Sequence, residues 1–143
     1  MQKVIANLES VLANTYSLYL KTQNYHWNVT GPNFKALHEL FQLQYEEMIP
    51  AIDEIAERIR TLDVKVDGTY ENFASLSVIA PGNKNLSAQE MVADLVEDNL
   101  KVNSLLQKGV EIAQQLSDEA TADILIKRME HHQKAVWMLR SSL

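Results

Sequence analysis

None of the 143 residues is a cysteine. That single absence removes disulfide frameworks, thiolate metal sites and cysteine nucleophiles together, and leaves metal-binding chemistry to histidine and carboxylate. It also fits a reducing compartment. Glycine and proline are scarce, at four and three residues, too few turn formers for a sheet-rich fold. No uninterrupted apolar stretch approaches the ~20 residues that cross a bilayer. The opening MQKVIANLES lacks the basic segment and apolar run of an export signal. A soluble cytoplasmic protein is the expectation, so the glycosylation sequon Asn28-Val29-Thr30 carries no weight. A surplus of basic charge is missing as well. The formal charge is −6 and the isoelectric point near 5.2, whereas duplex binding calls for a broad electropositive surface.

What is present is helical. The chain is 46% hydrophobic and 22% charged, too apolar for disorder, and its length suits one domain spanning residues 1–143. Apolar residues recur at helical spacing through Val4, Leu8, Leu12 and Leu18, predicting a first helix that ends near Asn28, before Gly31-Pro32. A second runs from Leu37 through Phe41, Met48, Ile52, Ile55 and Ile59 to about Leu62. Pro50 lies inside it with no turn residue beside it, so a kink is expected rather than a break. The stretch from Asp63 to Asn85 is too long to be structureless in a compact domain, and Tyr70 to Ile79 is expected to form a short helix there. Ser87-Ala88-Gln89-Glu90 reads as a capping box opening a third long helix to about Leu116. Ser117 and Asp118 then cap the fourth. Two helix pairs with short links, joined by one long crossover, make an all-α, ferritin-like four-helix bundle with an extra short helix in the crossover.

That bundle plan calls for a test of the di-metal motif Glu-x-x-His on two helices. It fails: three residues before His26, His38, His131 and His132 stand Gln23, Lys35, Arg128 and Met129. The second helix offers another set. His38 lies early on it, and Asp53 and Glu57 lie late, four residues apart and so on one face. The segment Asp53-Glu54-x-x-Glu57-Arg58 has equally the look of a solvated face with ion pairs, and spacing alone does not choose. The 15 residues from His38 to Asp53 span roughly 22 Å at ~1.5 Å per residue, so one chain cannot easily bring both to one ion. If this face meets a two-fold mate in antiparallel fashion, His38 of one subunit approaches Asp53 and Glu57 of the other.

The blocks His26-Trp27-Asn28-Val29-Thr30-Gly31-Pro32-Asn33-Phe34, His38-Glu39 and Asp53-Glu54-Ile55-Ala56-Glu57-Arg58-Ile59 resemble the Dps family of mini-ferritins. Asp67-Gly68-Thr69, Ala120-Thr121-Ala122-Asp123 and Ala135-Val136-Trp137-Met138-Leu139 extend the likeness over nearly the whole chain. The resemblance implies a ferroxidase: a hollow homododecamer, built from two-fold dimers, that oxidises ferrous iron with hydrogen peroxide, stores the ferric product and protects the cell from oxidative damage. By that resemblance His26 and His38 of one subunit, with Asp53 and Glu57 of its mate, hold the first iron, and Trp27 beside them intercepts oxidising equivalents. Gln42 stands where the family usually carries an acid for a second iron. As a neutral, poorer ligand for a hard cation, it puts that position in question.

Asp118 and Asp123 flank the start of the fourth helix, where acids also suit the helix dipole. In the family this region lines three-fold pores, which makes the two residues candidates for iron uptake. His131 and His132 are expected to serve surface or interface packing rather than ligation, and Trp137 packing. Two other readings compete: a shell that binds metal with weak or no turnover, and a DNA-protecting Dps-type protein, nucleoid-associated if it binds DNA. Members that coat DNA usually use a lysine-rich tail, and neither end here supplies a basic arm.

Overall fold

The computed structural model describes residues 1–143, as five helices and no strand: α1 (Gln2–Asn28), α2 (Phe34–Thr61), α3 (Tyr70–Leu76), α4 (Ala88–Gln115) and α5 (Glu119–Arg140). Helix α1 packs on α2 and α4, while α5 packs on α4 and also meets α2. Helices α2 and α4 are therefore diagonal in the bundle, and the long segment carrying α3 joins them across it. Each long helix contributes fully buried side chains to one core, among them Leu8, Leu18 and Tyr25 from α1, Phe41, Ile55 and Ile59 from α2, Leu95 and Leu106 from α4, and Leu125 and Leu139 from α5. At about 1.5–3 kcal/mol for each large apolar side chain, this burial is the main source of stability. No helix is long and apolar enough to cross a membrane.

The helix ends follow local chemistry. After Asn28 the chain turns extended at Val29, whose N–H still donates to the Tyr25 carbonyl at 2.9 Å. Gly31 then takes φ +114°, a conformation L side chains rarely adopt, and the chain reverses into α2. Pro50 lies within α2 without breaking it. Ser87 caps α4 by accepting from the Glu90 N–H at 3.2 Å. The Glu90 carboxylate, however, accepts from the Ser87 hydroxyl at 3.1 Å, not from the Ser87 amide as a full capping box requires.

Two expectations are corrected here. Helix α3 stops at Leu76 rather than Ile79 because Asn14 intercepts the backbone beyond it: its side chain accepts from the Val78 N–H at 2.8 Å and donates to the Leu76 carbonyl. Only Asp118 caps α5, accepting from the Thr121 N–H. Ser117 instead closes α4, in the left-handed region at φ +57°. Around it, the Ser117 N–H donates to Gln114 and the Asp118 N–H to Ala113, which is the Schellman arrangement with serine in the usual glycine position.

Candidate metal centre

The Gly31-Pro32 reversal lays the start of α2 against the end of α1, and so sets His26 against His38. Their rings stack with centroids 3.8 Å apart and planes 13° from parallel. Each Nδ1 lies 2.7 Å from the other residue's backbone carbonyl oxygen. A carbonyl only accepts, so both Nδ1 atoms carry the proton and donate it. In the neutral rings, both Nε2 atoms then keep a free lone pair, as metal ligation requires. The His26 carbonyl is available to His38 because α1 ends two residues later. Phe34 stacks on His38 at 5.0 Å and Tyr45 meets His26 edge-on at 5.3 Å, so the pair is boxed in by aromatic rings. His26 is buried, whereas the neighbouring Trp27 is 62% exposed.

Further along α2, Asp53 and Glu57 are exposed. The ion pairs of this segment belong to the residues beside them: Glu54 meets Lys127 at 3.5 Å and Arg58 meets Asp118 at 2.9 Å, both across to α5. Asp53 and Glu57 enter no ion pair. Ion pairing thus explains Glu54 and Arg58 and leaves the two carboxylates on the outward face unexplained. Within one chain no three histidine or acidic side chains gather where they could share a metal. The imidazole pair offers nitrogen donors and the carboxylate pair oxygen donors, the two types that a mixed iron ligand set combines.

The other singled-out residues divide. The Gln42 amide nitrogen donates to Glu46 Oε1 at 2.8 Å, one turn along α2. Burial alone would raise the Asp118 carboxyl, but hydrogen bonds from Thr121 and the Arg58 guanidinium outweigh it and hold the group below the usual carboxylate range. Asp118 is thus engaged in capping and ion pairing, while Asp123 is exposed. His131 is half-buried and comes within 3.5 Å of Glu47. His132 is not a surface residue: it is 2% exposed, with Nδ1 2.8 Å from Asn99 Oδ1 and Nε2 3.3 Å from Arg128 Nη2. Arg128 always donates, so Nε2 accepts and Nδ1–H donates to Asn99. Arg128 in turn forks onto Glu47 at 2.5 and 2.8 Å. Trp137 lies outside the buried core, being 63% exposed. A recess of about 170 Å³ opens between α2 and α5, lined by Leu43, Gln44, Glu47 and His131 among others. None of His26, His38, Asp53 and Glu57 lines it.

A four-helix bundle with a diagonal crossover is the ferritin-like plan, and the family model of the ferritin-like domain matches residues 5–143. DNA protection during starvation protein 2 of Bacillus anthracis is 37% identical over 142 residues, 99% of this chain and 97% of that protein. The crystal structure of Dps from Staphylococcus aureus superposes with a TM-score of 0.96 at 34% identity, covering 100% of this chain and 96% of that one. The Dps protein of Vibrio cholerae, described as a member of a broad superfamily of ferritin-like diiron-carboxylate proteins, gives 0.93 at 28% identity over 98% and 88%. The chain belongs to the Dps family.

Proposed function

We propose that this protein is a cytoplasmic ferroxidase that oxidises ferrous iron with hydrogen peroxide and keeps the ferric product inside a dodecameric shell built from two-fold dimers. The observation that carries the reading is the hydrogen-bond lock on His26 and His38, which holds two Nε2 lone pairs ready for a cation. Asp53 and Glu57 of the two-fold mate complete the site, supplying the negative charge that a ferrous ion needs and that the imidazoles lack. Their freedom from ion pairs within the chain supports that role. The ~22 Å between His38 and Asp53 along α2 supports placing the halves on different subunits.

Two ferrous ions give one electron each to one peroxide, its O–O bond breaks, and two protons are taken up to yield two waters. Pairing the electrons this way avoids releasing a hydroxyl radical. The boxed imidazoles keep the ligands fixed while the iron charge rises, and Trp27, next to His26 in the chain, takes up stray oxidising equivalents. Asp123, exposed at the start of α5, is a candidate for drawing cations to the shell. The name of the Bacillus anthracis relative favours a DNA-protecting role as a second reading. A formal charge of −6 disfavours protection by direct contact, since phosphate binding depends on basic residues.

The test follows iron oxidation by anaerobic stopped-flow absorbance after adding peroxide, in the native oligomer and in a His38→Ala, Asp53→Ala double variant. Fast oxidation by the native protein alone, at about two irons per peroxide, is expected. Equal slow rates in both would refute the assignment and leave a shell that binds metal without turnover.

A further inference from the structure

The weakest part of the proposed centre is Gln42, and α2 carries a compensating feature one turn beyond it. His38, Gln42 and Glu46 follow each other at four-residue spacing and share a face of the helix, with ~6 Å of rise between successive members. The Gln42 side chain donates to Glu46 Oε1 at 2.8 Å. An ionised carboxylate has no proton to give, so the group facing it must be the amide nitrogen. The amide oxygen is then the Gln42 atom left without a hydrogen-bond partner in the chain. His38 is fixed in the same sense, since its Nδ1 donates to the His26 carbonyl and leaves Nε2 free. One face of α2 therefore carries an imidazole with a free lone pair and, a turn later, an amide whose nitrogen is engaged and whose oxygen is free.

We infer that Glu46 is a positioning residue that makes Gln42 an oxygen ligand for the second ferrous ion. It acts in two ways. By holding the amide nitrogen it prevents the flip that would turn two N–H donors towards a cation. By accepting a charge-assisted hydrogen bond it polarises the amide and enriches its oxygen in negative charge. A carboxylate one turn away thus stands behind a neutral ligand, as the carboxylate partners of ligating histidines do elsewhere. Glu46 is exposed and Gln42 only half-buried, so both can be substituted with little effect on the core. This inference rests on the ferroxidase reading above.

The test uses cobaltous ion, which binds like ferrous iron without being oxidised by the site, titrated anaerobically into the assembled oligomer and read by its visible absorption. Wild type is expected to take up two ions per site. Glu46→Ala is expected to weaken the second ion about tenfold or more, within the range for lost partners of metal ligands, and to leave the first unchanged. Glu46→Gln keeps an oxygen that accepts from the amide but loses the charge, so it should restore part of the second ion's affinity. Gln42→Glu supplies its own charge, so adding Glu46→Ala to it should cost little. Unchanged second-ion affinity in Glu46→Ala overturns the inference. So does Glu46→Gln as weak as Glu46→Ala, because that pattern makes Glu46 itself the ligand. Failure of the underlying ferroxidase reading looks different: the first ion would then bind equally to wild type and to the His38→Ala, Asp53→Ala variant.

Discussion

Replacing His132 with glutamine should flatten the acid limb of this protein's stability curve. Burial, reinforced by the positive charge of Arg128 and by His131, pushes the His132 imidazole down from an ordinary 6.5 to about 3. The folded state thus holds the ring neutral at a pH where the unfolded chain protonates it. The associated stability is complete above pH 6.5 and is lost as pH falls from there towards 3, because only the unfolded state binds the proton in that window. The whole difference is on the order of 4–5 kcal/mol, and the change from pH 6 to pH 4 is about 2–3 kcal/mol. Glutamine does not titrate, yet its amide can donate to Asn99 and accept from Arg128 as the neutral ring does. Asp118, also held low, and Asp98, raised by burial against the Lys21 ion pair, stay the same in both proteins and cancel in the comparison. The assay is urea unfolding at fixed protomer concentration from pH 4 to pH 7. The wild-type stability should fall relative to His132→Gln by about 2–3 kcal/mol between pH 6 and pH 4; parallel curves would refute the buried-neutral assignment.

Two further outcomes follow from the same packing. Arg128→Ala should cost about 2–4 kcal/mol, because it leaves Glu47 without its counter-ion and opens a void beside His132. Adding Glu47→Ala should recover part of that loss, and strict additivity in the double-mutant cycle would remove the ion pair from the account. Ser117→Gly should raise the unfolding midpoint by the equivalent of about 0.5–1 kcal/mol, since glycine suits φ +57° at the end of α4; an unchanged or lowered midpoint would show that serine is unstrained there.

Most of the helix plan was legible because its punctuation is local. Gly31-Pro32, Ser87 and Asp118 each act within a turn or two of their own position. The end of α3 was not, because Asn14, more than sixty residues earlier, takes the backbone of Val78. His38, Asp53 and Glu57 could be singled out from residue type and spacing, and His26 from the family resemblance, but the mutual lock of the two histidines needs the hairpin to be folded. The Gln42–Glu46 hydrogen bond carried a readable signal, a glutamine and a glutamate four apart on one helix. The burial of His132 carried one too. Leu125, Arg128, His132, Val136 and Leu139 form the buried stripe of α5, and that periodicity places His132 inward while its neighbour His131 points elsewhere. Adjacency of the two histidines drew attention away from the stripe. Trp137 is the converse case, one position past Val136 and so carried round to the outside.

The reciprocal lock between His26 and His38 makes the pair a single working part. Each ring is oriented by the backbone of the other residue, and each backbone oxygen is in place only while α1 and α2 stay in register across Gly31-Pro32. Losing one ring frees a carbonyl and exposes a face of the survivor, which can then turn or exchange its tautomer. Measured singly, each imidazole will therefore seem worth nearly the whole pair. Such a part can be kept or lost as a unit, but it offers selection no gradual path on which one histidine is weakened and the other left at full strength.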